Sequence, residues 1–167
     1  ESTGTTTLSR DLARHYGTTW VPEYGRVYSE GPAVATNESA AWRPQEFVHI
    51  AHAQSQMEDA LAEASNGLVI CDTDAFATGI WHERYLEARS PEVEAVAAAR
   101  HYDLYILTGD EIPFVQDGLR DGEHIRHWMH GRFEERLKEE GKNFIVVHGT
   151  PQERLVQAIA AIDALKE

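Results

Sequence analysis

Glu1-Ser2-Thr3-Gly4-Thr5-Thr6-Thr7-Leu8 opens the chain, and its order is that of the second half of a phosphate-binding loop running into a helix. In the pattern G-x-x-x-x-G-K-[ST], Gly4 takes the second glycine, Thr5 the lysine and Thr6 the hydroxyl that meets magnesium, while the first glycine falls two residues before Glu1. Such a loop joins a buried strand to a helix. A central strand of a parallel sheet is therefore expected upstream of Glu1, and without it two neighbouring strands lack a ladder partner. The competing reading of Ser2 to Thr7 is a plain Ser/Thr-rich helix cap.

Outward from this loop, helical and strand periods alternate. Leu8, Leu12 and Tyr16 recur every fourth residue and predict a first helix that Gly17 ends. Residues 18–21 read as a short strand cut off by Pro22. A long helix is expected over residues 44–65, with Pro44 at its first position and Phe47, Ala51, Gln54, Leu61 and Ala64 near one face. Residues 68–71 are an unbroken apolar run, as in a strand buried on both faces, and lead straight into Asp72-Thr73-Asp74. Helices over residues 81–88 and 91–100 precede a strand at 104–107. Residues 118–140 are polar and mostly helical, 143–148 form the last strand, and Thr150-Pro151-Gln152-Glu153 is a capping box that launches a terminal helix. Alternating βα units predict a three-layer α/β fold with a parallel sheet, in one nucleotide-binding domain spanning residues 1–167. Residues 29–41 read as a mobile loop.

The 167 residues are 42% hydrophobic, enough for a real core. A formal net charge of −13 argues against nucleic acid polymers and anionic membrane surfaces as partners, while leaving room for a small anion in a local pocket. The single cysteine, Cys71, excludes an intrachain disulfide and fits the reducing cytoplasm. It reads as an inert packing residue.

Several side chains stand where chemistry is done. Asp72 ends a buried strand, the edge where ligands gather in open α/β sheets, and a carboxylate there helps to hold Mg²⁺; the alternative is a strand-to-helix turn with an N-cap. Glu23, after the second strand, can accept a hydroxyl proton or bind a sugar, with Arg26 beside it, or the segment is only a surface turn at Gly25. Asp117-Gly118-Leu119-Arg120 with Arg126 and Arg132 resembles a lid over residues 117–133 that brings guanidinium groups over phosphates. Arg126 and Arg132 also suit ordinary helix-surface ion pairs. The pairs and triplets of histidines, His49 and His52, then His124, His127 and His130, lack the further ligands of a metal site. The tryptophans, Trp20, Trp42, Trp81 and Trp128, read as core or interface residues.

Taken in order, Glu1-Ser2-Thr3-Gly4, Glu23-Tyr24-Gly25-Arg26, His52-Ala53-Gln54, Asp72-Thr73-Asp74 and Asp117-Gly118-Leu119-Arg120 resemble the kinase domain of the NadR family, the ribosylnicotinamide kinases. The resemblance implies a P-loop kinase that transfers the γ-phosphate of ATP to a nucleoside-like hydroxyl with Mg²⁺. It assigns the nucleotide to Glu1, Ser2, Thr3, Gly4, Thr5, Thr6 and Thr7, and the metal to Thr6 and Asp72. Glu23 and Asp74 face the acceptor, Arg120 and Arg126 close over the phosphates, and Tyr24, Arg26, His52 and Asp117 hold the substrate. Two departures stand out. Thr5 replaces the lysine that spans the phosphates, so catalysis needs a compensating arginine. Pro22 and Ser55 stand where that family carries a tryptophan and a tyrosine around the nicotinamide ring, leaving Trp20 or Trp42 as substitutes. The alternatives are an ATP-binding regulatory module that has lost catalysis and an AAA-like NTP hydrolase. Further partners are an upstream domain or a second copy of the chain.

Overall fold

A computed structural model describes residues 3–31, 42–111 and 124–166. The chain folds into two compact units, one built from its two ends, up to His15 and from Tyr102 on, the other from Tyr16–His101. Glu1, Ser2, Asp117, Arg120 and most of the expected 29–41 loop lie outside the described residues.

In the unit made from the ends, α1 (Thr5–Tyr16) starts one residue after Gly4. Gly4 has φ +80°, a left-handed conformation that a side chain would oppose, so the tight entry into the helix depends on glycine. Leu8, Leu12 and Ala13 are buried, which makes the four-residue period the inward face of α1. Near the other end of the chain, Thr150 Oγ1 accepts the Glu153 N–H at 3.3 Å, while the Glu153 carboxylate accepts the Thr150 N–H at 2.7 Å. The capping box thus forms as the sequence predicts and starts the terminal helix at Pro151.

In the Tyr16–His101 unit, β1 (Thr19–Val21) runs parallel to β2 (Val69–Cys71), with Thr19 opposite Val69 and Val21 opposite Cys71. The Asp72 N–H extends this ladder to the Val21 carbonyl at 2.9 Å. Four helices follow: α2 (Tyr24–Ser29), α3 (Pro44–Ala62), α4 (Ala75–Leu86) and α5 (Pro91–Ala98). Phe47 and Ala51 of α3, Ala75 of α4 and Val93 of α5 form the buried centre, flanked by Trp42, Trp81 and Tyr85.

The first unit contributes β3 (Tyr105–Thr108), α6 (His124–Glu139), β4 (Phe144–Val147) and α7 (Pro151–Ala164). Strands β3 and β4 are also parallel, with Thr108 opposite Val147. The four strands therefore form two parallel pairs, and each strand has one ladder neighbour among the described residues. One departure from expectation is that of residues 68–71 only Ile70 is buried, the rest being half-covered. Two boundaries also shift. Helix α4 begins at Ala75 rather than residue 81, because Asp74 caps it. Helix α3 ends at Ala62, and its buried face runs through Ile50, Gln54, Ser55 and Glu58 rather than reaching Ala64.

Candidate functional site

On the phosphate-loop side, three hydroxyls meet. Thr108 Oγ1 at the end of β3 donates to Thr3 Oγ1 at 2.8 Å and lies 3.1 Å from Thr5 Oγ1, which is itself 3.1 Å from Thr3 Oγ1. Thr108 is buried. The residue in the lysine position is thus tied into a neutral hydroxyl cluster. Thr6 follows in the first turn of α1, its carbonyl accepting from Ser9 Oγ at 3.0 Å. The N-terminus of this helix directs its dipole and its first amides toward the loop, an arrangement suited to phosphate.

Beneath the loop lies Arg154, from the first turns of α7, with only 2% of its surface exposed. Its guanidinium donates to four oxygens: Thr3 O at 2.6 Å, Gly109 O at 3.0 Å, Gly149 O at 2.9 Å and Glu111 Oε1 at 2.7 Å. A planar five-donor fork suits this gathering of turn carbonyls, which lysine could not reproduce. Burial pushes the Glu111 carboxyl up, but hydrogen bonds from its own backbone, from the Gly149 N–H and from Arg154 outweigh this and hold it at about 2. Gly149 has φ +90° and faces the Glu153 carboxylate, so the turn that meets Arg154 is reserved for glycine.

Arg126, expected over the phosphates, is buried on α6 and donates from Nη2 to the Asp110 carbonyl at 2.5 Å. His127 pairs with the Asp110 carboxylate. Arg132 makes a surface pair with Glu135 at 2.6 Å, the ordinary helix-face arrangement, and Trp128 is exposed.

In the Tyr16–His101 unit, two loops at the carboxyl ends of β1 and β2 carry the residues expected to face an acceptor. Glu23 sits at the N-cap of α2, half-buried, and its carboxylate makes no cap bond. Asp72 is buried at the end of β2. Asp74 is buried too and is the N-cap of α4, its Oδ1 accepting the Ala77 N–H at 2.9 Å, so this residue does double service in any acceptor role. Tyr24 places its hydroxyl 3.1 Å from His49 Nε2. Arg26 is exposed and donates to Glu30 one turn along at 3.1 Å.

The His52-Ala53-Gln54 segment resolves in an unexpected way. His52 is exposed on α3, whereas Gln54 is 1% exposed and reaches both loops. Its Oε1 accepts the Tyr24 N–H at 2.9 Å, and its Nε2 donates to Thr73 O at 3.1 Å and Glu58 Oε1 at 3.3 Å. Ser55 is buried and bonds the Ala51 carbonyl within its own helix. Trp42 stacks on Tyr28 with centroids 6.2 Å apart and also meets Phe47 and Tyr85, while Trp20 is half-buried in β1. Burial, with Glu58 and Asp74 adding to it, pushes the Cys71 thiol far up, in keeping with an unreactive packing residue.

Each unit offers a hard oxygen donor of the kind Mg²⁺ takes: the Thr6 hydroxyl in the first turn of α1 and, in the other unit, the buried strand-end carboxylate of Asp72. Among the described residues no group of three His, Cys, Asp or Glu side chains converges on a metal. No described helix is long and apolar enough to cross a membrane.

An α/β fold with parallel strands, a glycine-gated loop entering a helix, and acids at strand ends define a P-loop nucleotide-binding domain. The chain belongs to the AAA domain family, whose model matches residues 1–154, and within it the domain is NadR-like. It is 30% identical over 149 residues to the trifunctional NAD biosynthesis/regulator protein NadR of Salmonella typhimurium strain LT2, covering 88% of this chain and 36% of that protein. The protein of the same description from Escherichia coli K12 is 32% identical over 120 residues, 72% of this chain and 29% of the relative. The crystal structure of NadR protein in complex with NR superposes with a TM-score of 0.76 at 26% identity, covering 96% of this chain and 48% of that one. A NadR structure in complex with NAD and AMP-PNP matches with the same TM-score at 24% identity, over 96% and 46% of the two chains, and bears on the fold alone. The chain spans about a third of the length of the curated relatives it matches.

Proposed function

We propose that this domain is an ATP-dependent kinase that transfers the γ-phosphate to a hydroxyl of a nucleoside-like acceptor, with nicotinamide riboside the first acceptor to test. The observation that carries this reading is the NadR likeness across 88% of the chain, joined to a loop that enters α1 through a left-handed Gly4. In this reading the loop from Glu1 to Thr7 cradles the phosphates. Thr6 and Asp72 hold Mg²⁺, which when bound neutralises charge on the phosphates. Glu23 takes the proton of the acceptor hydroxyl, and Asp74 orients the acceptor beside it. Tyr24, Arg26, His52 and Asp117 hold the substrate. Tyr28 and Trp42 offer the aromatic surface that Pro22 and Ser55 do not.

Thr5 carries no charge, so stabilising the transferred group falls to Arg120 and Arg126. The domain works in the cytoplasm, with an upstream domain or a second copy of the chain as candidate partners. A second reading, an ATP-binding regulatory module without transfer, is favoured by the hydroxyl cluster that occupies Thr5 and by the engagement of Arg126 with Asp110.

Calorimetric titration of Mg·ATP, followed by assay of phosphate transfer to nicotinamide riboside, separates the readings. Binding with transfer is expected. Binding without transfer supports the regulatory module, acceptor-independent ATP hydrolysis supports an AAA-like hydrolase, and absence of binding at millimolar ATP overturns all three. Thr5→Lys is expected to tighten ATP binding by restoring the missing charge; unchanged binding would show that the loop does not wrap the phosphates in the usual way.

A further inference from the structure

We propose that Gln54 is a positioning residue that sets the acceptor-side loops against each other, an inference that rests on the kinase reading for its catalytic consequence and on geometry for its structural one. The two loops are far apart in sequence, Glu23-Tyr24 after β1 and Asp72-Thr73-Asp74 after β2, yet one buried amide meets both. The Tyr24 N–H can only donate, and the Thr73 carbonyl and Glu58 carboxylate can only accept. The Gln54 amide therefore has a single orientation that satisfies all three, with its oxygen on Tyr24 and its nitrogen toward Thr73 and Glu58.

That orientation is held from behind. Glu58, also buried, accepts from Arg100 Nη2 at 3.1 Å, and Arg100 Nη1 donates to Asp59 at 2.7 Å. Rotation of the amide would face a carbonyl with a carbonyl and strand the Tyr24 N–H, each costing a buried hydrogen bond. The result is a rigid strut between the peptide that follows Glu23 and the peptide between Asp72 and Asp74. An apolar side chain of similar volume would fill the same space on α3 without that linkage. With the ladder bond from the Asp72 N–H to the Val21 carbonyl holding the strand ends, the amide extends the tie beyond them and sets the separation of the two acidic groups assigned to the acceptor, a separation to which transfer is steeply sensitive.

Three variants test this: Gln54→Leu, which keeps volume and loses both ties; Gln54→Glu, which keeps the acceptor for Tyr24 and loses the donor to Thr73; and Gln54→Asn, too short to span both. Amide hydrogen exchange is read at Tyr24, bonded to Gln54, and at Ala77, bonded to the Asp74 carboxylate, each corrected for global stability. In Gln54→Leu both amides are expected to exchange on the order of tenfold faster; in Gln54→Glu Ala77 speeds up while Tyr24 stays protected; in Gln54→Asn at least one tie is lost. With ATP and nicotinamide riboside, Gln54→Leu and Gln54→Glu are expected to lower kcat on the order of tenfold or more while the KM for ATP stays within about twofold. Wild-type exchange at both amides in Gln54→Leu, or loss at Tyr24 alone, overturns the strut. A rise in the KM for ATP in step with the fall in kcat also overturns it, since that marks general loosening. If the wild type transfers no phosphate, the kinase reading fails while the exchange data still decide the strut. If Gln54→Leu does not fold, the contrast between Tyr24 and Ala77 in Gln54→Glu decides it.

Discussion

The two units hold their loops by different means. In the unit made from the chain ends, a buried cation gathers the turns: Arg154 binds carbonyls of Thr3, Gly109 and Gly149 and the carboxylate of Glu111. In the Tyr16–His101 unit, the side chain that reaches both loops is the neutral amide of Gln54. The difference follows from what each set of loops offers. Carbonyls gathered from the loops after β3 and β4 and from the entry to α1 form a concentration of negative dipoles, and a guanidinium satisfies several of them at once. The other unit presents one amide N–H and one carbonyl, which a carboxamide matches with no charge to desolvate. The cation under the phosphate loop is fully committed, so it braces the loop and is not a replacement for the lysine absent at Thr5.

Breaking the cationic brace is the largest expected effect. Arg154→Leu leaves three turn carbonyls without their donor and removes the partner of Glu111. Unfolding stability is expected to fall by about 3 kcal/mol or more, measured by urea denaturation, with ATP binding weakened as well. Arg154→Lys, a single ammonium unable to reach four acceptors, is expected to recover only part. A loss in Arg154→Leu below about 1 kcal/mol would break the comparison, because it would show that charge bracing under the loop is dispensable.

The brace and the strut were unequally legible in the sequence. The loop into α1, the strand runs and the Thr150–Glu153 box are local signals, and the structure places elements where those signals stand. The segment Asp72-Thr73-Asp74 reads either as site acids or as a strand-to-helix turn with an N-cap, and Asp74 is that cap, which starts α4 at Ala75. The resemblance assigns His52 to the substrate, while Gln54 of the same segment falls on the inward face of its helix. Two residues advance about 200° around an α-helix, so when Gln54 faces inward His52 faces out. Arg154 gave no local sign of its role. Its partners lie as far as 151 positions away in sequence, and the only hint was a charged residue four and eight positions before the buried Ala158 and Ile162, on the apolar stripe of α7.

An intermediate effect sharpens the other side of the comparison. Asp74 caps α4 through one oxygen, a role asparagine fills about as well and alanine does not. Asp74→Ala is expected to lose about 1 kcal/mol of stability, and Asp74→Asn to keep it. Both are expected to lower phosphate transfer, since neither retains the charge assigned to the acceptor. Transfer by Asp74→Asn equal to the wild type would leave Asp74 a cap alone.

The smallest effect concerns the acid limb of the brace. Glu111 is held at about 2 in the folded protein, against an ordinary value of 4.5, so the folded state binds its proton more weakly than the unfolded chain. The stabilisation is therefore complete above about pH 4.5 and is lost as pH falls toward about 2. The side chain is 42% exposed, and solvent screening limits the contribution to about 1 kcal/mol or less. Glu111→Gln keeps an oxygen for Arg154 and the Gly149 N–H while removing the titrating group. Its stability is expected to fall less steeply than the wild type's across that window, read from urea midpoints at a series of pH values. Identical slopes would mean that Arg154 is held by the turn carbonyls alone, and the contrast between the units would then rest on one guanidinium among neutral oxygens rather than on an ion pair with one exposed partner.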